Sequence, residues 1–101
     1  MPTDMTIANE ILRQMGGPAA LVMVGGSAHG DETSLTVKFK AKAHKRINCV
    51  IITLDPSDTY TVKFCRVWNR TNVGVASFSD VYAEDLKGLI ERTTGLYLSL
   101  R

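Results

Sequence analysis

The chain has little of what would fix its chemistry at a glance. It holds two cysteines, Cys49 and Cys65, in 101 residues, so its core must form without a disulfide framework or a structural metal. A zinc site needs more ligands at closer spacing. The two residues are expected to be free thiols. No apolar run approaches the roughly 18 residues that cross a bilayer. Asp4, Glu10 and Arg13 stand where a secretory leader would carry an apolar stretch, and a soluble, cytoplasmic protein is expected. The formal charge of +2 is too small by itself to indicate nucleic acid. No internal repeat, low-complexity tract or linker is visible, and no catalytic motif or cofactor signature is present.

What is present is an ordinary globular composition, 45% apolar and 22% charged, at a length suited to one domain over residues 1–101. Ile7, Ile11, Leu12 and Met15 recur at helical spacing and predict a helix over residues 4–15, closed by Gly16, Gly17 and Pro18. Residues 20–24 form a short apolar run that predicts a strand, and residues 25–33 have loop composition. Three strands are predicted at 34–42, 47–54 and 59–67, with a further one at 73–78. A second helix is expected after a Ser79–Asp80 cap, with Tyr82, Leu86, Leu89, Ile90 and Thr93 on one side and Gly95 as its stop. Residues 96–100 alternate like a short strand that docks on the body. The fold class is therefore α+β: an antiparallel sheet of four to five strands, with an N-terminal and a C-terminal helix packed on one face.

Alternation assigns the faces. Leu35, Val37, Phe39 and Ala41 point one way, and Lys38, Lys40 and Lys42 the other. Placing Lys42 opposite Ile47 pairs Leu35 with Leu54, Val37 with Ile52 and Phe39 with Val50. Placing Leu54 opposite Tyr60 pairs Ile52 with Val62, Val50 with Phe64 and Cys49 with Cys65. Both hairpins then bury the same apolar set. The opposite face would show an apolar stripe of Ile47, Cys49 and Ile51 rimmed by Lys38, Lys40, Lys42 and Lys63, the pattern of an interaction surface or of a homodimer contact.

Five of the twelve Lys and Arg residues fall between Lys38 and Arg46. The row has two readings: a solvated strand face that discourages aggregation, or a surface meeting phosphates or an acidic protein. Phe39, Tyr60 and Phe64 point inward, so the open face lacks stacking platforms for single-stranded nucleic acid. Trp68 and Arg70 are candidate interface anchors, although Trp68 could equally plug the end of the core. His29 and His44 sit in loops without an orienting carboxylate. The Gly25–Gly30 stretch lacks the Lys-Ser/Thr ending of a phosphate loop. Asp80, Glu84 and Asp85 fit the electropositive start of the second helix. The expected partner-binding set is Lys38, Lys40, Lys42, Lys45, Arg46, Lys63, Trp68 and Arg70, with no catalytic, cofactor or metal residues.

Several stretches carry a resemblance: Thr6-Ile-Ala-Asn-Glu-Ile-Leu-Arg-Gln-Met-Gly-Gly17, Ile52-Thr-Leu54 with Asp58-Thr-Tyr60, Val62-Lys-Phe64, and Val81-Tyr-Ala83 with Thr94-Gly-Leu-Tyr-Leu-Ser-Leu100. In these the chain resembles a group of short bacteriophage and prophage proteins. The resemblance spans nearly the whole chain and carries no known functional residues across. It implies a non-enzymatic protein of the host bacterial cytoplasm that binds and occludes a macromolecular complex, in the manner of an anti-CRISPR factor. The alternative is a nucleic-acid-binding accessory of phage replication or recombination.

Overall fold

The computed structural model describes residues 5–98. In chain order the elements are α1 (Thr6–Met15), α2 (Pro18–Val24), β1 (Gly26–Gly30), β2 (Ser34–Phe39), a 3-10 turn (His44–Arg46), β3 (Cys49–Leu54), β4 (Tyr60–Trp68), β5 (Thr71–Val81) and α3 (Ala83–Thr94). The strands form one antiparallel meander in the order β1-β2-β3-β4-β5. Helices from the N-terminal and C-terminal regions pack on one face of it. Ile11 and Met15 of α1 and Leu86 and Ile90 of α3 meet Val37, Val50, Ile52, Val62 and Phe64 in a shared core. Phe64 is fully buried and stands edge-on to Phe78, ring centroids 6.0 Å apart.

Two elements differ from the sequence-based expectation. Residues 20–24 belong to helix α2 instead of a strand. Pro18 at the first helical position presets φ for a helix, and the buried pair Ala20 and Val24 sits at i, i+4. A five-residue apolar run has no period of its own, so composition could not distinguish the two. The Gly25–Thr33 segment, expected to be a loop, supplies β1, which pairs with β2 from Gly26↔Phe39 to Gly30↔Leu35. Gly30 is what brings α1 close: a Cβ there would collide with the Ala8 side chain.

The expected Lys42↔Ile47 register is two residues out. The structure pairs Leu35 with Ile52, Val37 with Val50 and Lys38 with Cys49. β2 stops at Phe39 and β3 starts at Cys49, so a long connection containing the 3-10 turn replaces the four-residue loop. An even slip leaves the side chains of the paired residues, 34–38 and 49–53, on their expected faces. The second hairpin is as expected, with Cys49↔Cys65, Val50↔Phe64, Ile52↔Val62 and Leu54↔Tyr60. β5 is longer than expected and runs to Val81. Ser79 and Asp80 therefore lie in the strand, and the helix starts at Ala83 after Tyr82, without a side-chain cap. Gly95 ends α3 in the left-handed conformation, φ 75°. Residues 96–98 form no strand. Leu98 is buried and its N–H donates to Glu91 Oε2 at 2.9 Å, while the rest of the expected 96–100 strand lies outside the described residues.

The meander sorts charge along the strand direction. The β1–β2 turn, the β3–β4 turn and the β5–α3 junction share one end, which carries Asp31, Glu32, Asp55, Asp58, Asp80, Glu84 and Asp85. The β2–β3 connection and the β4–β5 turn share the other, with Lys38, Lys40, Lys42, Lys45, Arg46, Arg66 and Arg70. Nearly neutral in total, the molecule has an acidic pole and a basic one.

Candidate functional site: the basic end of the sheet

The basic pole is built from irregular backbone. Lys38 is the last lysine inside β2; it is exposed and faces away from the helices, opposite Cys49. Lys40 and Lys42 lie beyond the strand. The N–H groups of Lys40 and Ala41 turn back to the Val24 carbonyl at 3.3 and 3.1 Å, so the expected row of three ammonium groups on one strand face does not form. Lys45 and Arg46 follow in the 3-10 turn with positive φ, 55° and 60°. Across the sheet, β4 and β5 are joined by Asn69 and Arg70, also at positive φ, 52° and 65°, the pattern of a two-residue type I′ hairpin turn. Four consecutively paired non-glycine residues in the left-handed region, three of them cationic, converge on this pole.

Asn48 ties the two halves together. Its side-chain amide donates from Nδ2 to the Val67 carbonyl at 2.8 Å and accepts from the Val67 N–H at Oδ1, also 2.8 Å. Its own backbone N–H donates to the Cys65 carbonyl at 3.1 Å. The side chain thus continues the β3–β4 ladder where the backbone has left it. Arg46 is held two residues before this clamp and Trp68 one residue after it.

A cleft of about 460 Å³ opens there, lined by Arg46, Asn48, Arg66, Val67, Trp68, Thr71 and Val73. Trp68 is 74% exposed, so it does not plug the core. Arg66 and Trp68 follow Val62 and Phe64 at the two-residue period of β4. They therefore occupy the helix-side face of the sheet, beyond where the helices cover it. Sequence reasoning looked for the site on the opposite face and passed over Arg66; its spacing from Trp68 was the available signal. A second hollow, of about 590 Å³, adjoins through Arg46 and Asn48 and is lined by Lys40 and Lys42 among others.

Of the expected contact residues, Lys38, Lys40, Lys42, Lys45, Arg46, Trp68 and Arg70 gather at this pole. Lys63 does not: it lies on the outer face of the sheet, opposite Ile51 and Ser77. The expected apolar stripe is also absent as an open surface. Ile47 is 1% exposed and belongs to the core, Cys49 is buried, and Ile51 alone is half-open. The long β2–β3 connection rotates Ile47 inward.

Cys49 and Cys65 are free, buried and directly opposite one another. Burial pushes the Cys49 thiol up, with Cys65 adding to the shift and Lys38 opposing it. Burial also pushes Cys65 up, with Lys63 opposing. Both thiols stay protonated and unreactive near neutral pH. Among the described residues the cleft lining offers two guanidinium groups, an amide, a hydroxyl and an indole, with no carboxylate, thiol or imidazole. Among the described residues no three His, Cys, Asp or Glu side chains come together to hold a metal ion, and no helix is long and apolar enough to cross a membrane. Such a lining can hold an anion against a flat apolar group. No family model, curated protein or solved structure matches the chain.

Proposed function

We propose that this chain is a non-catalytic binding protein whose basic pole docks on an acidic surface of a bacterial macromolecular complex and occludes it. The resemblance to phage and prophage proteins supports an anti-defence role of the anti-CRISPR kind in the host bacterial cytoplasm. The observation that carries the reading is the convergence of an exposed Trp68 with Arg46 and Arg66 on a pole that also holds Lys38, Lys40, Lys42, Lys45 and Arg70. Tryptophan and arginine are the side chains that anchor protein interfaces. The distant acidic pole orients the molecule as it approaches a negative surface.

A second reading is a nucleic-acid-binding accessory. It is favoured by the same indole, which sits among guanidinium groups as a stacking platform does for an unpaired base. One comparison separates them. Wild type and the K40E/K42E/R46E variant are used for affinity capture from bacterial extract, and both are titrated with single-stranded oligothymidylate at about 50 and 200 mM salt. The occlusion reading expects a protein captured by wild type and lost with the variant, and weak oligonucleotide binding. Tight oligonucleotide binding that collapses at the higher salt, with no protein captured, replaces it with the second reading.

A further inference from the structure

The two edges of the sheet are guarded very differently. β1 is five residues long and begins and ends in glycine. β5, at the other edge, is eleven residues long, Thr-Asn-Val-Gly-Val-Ala-Ser-Phe-Ser-Asp-Val. It contains no proline, no lysine and a single ionisable side chain, Asp80, near its end. Residues 71–74 and 77–80 are exposed, including the large apolar side chains of Val73 and Phe78. Natural edge strands of this length are normally short-circuited by lysine, proline or a covering element, because their free N–H and C=O groups are a template for another strand. β5 carries none of those guards along its length. Its guard is instead a pair of bulges, opposite Tyr60/Val62 and Phe64/Cys65, which bend the strand locally and leave its edge uncharged.

We propose that β5 is a dimerisation edge, pairing antiparallel with β5 of a second copy of this chain about a twofold axis. The charge distribution selects this occupant and this direction. Antiparallel pairing lays the basic pole of one copy beside the acidic pole of the other, twice by symmetry. Arg70, in the turn just before β5, then comes beside Asp80 near the far end of the second copy's strand. Parallel pairing would instead set basic pole against basic pole. The isologous contact uses up both β5 edges and leaves only the short β1 edges free, so the assembly closes at two. This contact does not involve Ile47 or Cys49, which the core has already buried.

The test is sedimentation velocity over about 1–500 μM together with concentration-dependent hydrogen exchange. Wild type is expected to shift from monomer to a species of twice its 11.1 kDa mass, with amide protection appearing over residues 71–81. Raising salt should weaken the dimer, since the poles are exposed. Ser77 and Ser79 are exposed and, in this register, face Val73 and Thr71 of the second copy across the pairing edge. The S77K/S79K variant should raise the dissociation constant by roughly tenfold or more, because it places four lysines per dimer in a pairing edge that otherwise has none. S77T/S79T, which keeps an uncharged strand-forming edge, should leave it near the wild-type value. Circular dichroism and melting of both variants establish that the fold is intact. A wild type that stays monomeric throughout the range overturns the proposal. So does a dimer whose protection lies elsewhere, a dimer indifferent to S77K/S79K, or growth into larger species.

Discussion

Asn48 and Val67 exchange two hydrogen bonds, with the asparagine side chain standing in for a strand at 2.8 Å in both directions. This clamp fixes the β2–β3 connection to the end of β4 and sets Arg46 and Trp68 around one cleft. Replacing Asn48 with Ala removes both partners from a half-buried stretch of Val67 backbone. It should cost about 1–3 kcal/mol, a fall in Tm of several degrees for a domain of this size. Asn48→Asp should cost more than Asn48→Ala, because a carboxylate would face the Val67 carbonyl. Thermal unfolding of the three proteins checks the order.

Gly95 sits at φ 75° with its α-carbon against the His44 ring, where any Cβ would strike the imidazole. Gly95→Ala therefore combines left-handed strain with a collision, and should cost roughly 2–4 kcal/mol. Adding His44→Ala should recover the collision and leave about 1–2 kcal/mol of backbone strain. A double-mutant cycle measured by denaturant unfolding reads the difference.

Arg70 holds a position in the β4–β5 turn, φ 65°, that glycine would occupy without strain. Arg70→Gly should raise stability by about 0.5–1 kcal/mol, the left-handed strain relieved less the entropy glycine loses on folding. Under the proposed function it should also weaken partner binding. Stability and affinity moving in opposite directions would mark this arginine as kept for contact; loss of stability would mean that its side chain supports the hairpin.

The Asp31 carboxylate caps the β1–β2 turn. It accepts the Thr33 N–H at 2.9 Å, and the Ser34 N–H and hydroxyl at 2.8 and 2.9 Å. The Thr33 N–H, followed by the Ser34 contacts, holds its pKa below the usual aspartate range. A carboxyl lowered on folding contributes fully above its unfolded pKa, and that contribution fades as pH falls through the folded value. Stability should thus drop on acidification below about pH 4, and Asp31→Asn should flatten that limb. Some slope should remain from Glu10, which is lowered by its hydrogen bond and ion pair with Arg13. Urea midpoints measured from about pH 2 to pH 6 test both statements.

Much of the fold was legible because its signals are periodic. Ile7, Ile11 and Met15 mark α1. The alternation from Val50 to Phe64 fixed the β3–β4 register down to the Cys49–Cys65 pair. Gly95 marked the end of α3. The failures were local. Residues 20–24 have no period to read, and β1 is built from residues that usually turn. The β2–β3 slip depended on a 3-10 turn whose left-handed Lys45 and Arg46 violate ordinary backbone preference. The cationic cluster was visible in the sequence, but the face was not. Lys40 and Lys42 leave the strand, and the cleft with Arg66 and Trp68 opens on the helix side.

The basic pole carries the chain's one tryptophan, so 7-azatryptophan incorporated at Trp68 in this chain only, and excited to the red of ordinary indole, reports on the proposed docking site without signal from a partner's tryptophans. Emission and acrylamide quenching of Trp68 should be measured in the purified complex with the bacterial protein captured by wild type, and compared with the R46E/R66E variant. Docking through this pole is expected to blue-shift the emission and shield the indole, with complex formation lost in the variant. A saturated complex in which Trp68 remains as red-shifted and as open to quencher as in the free protein would contradict the account.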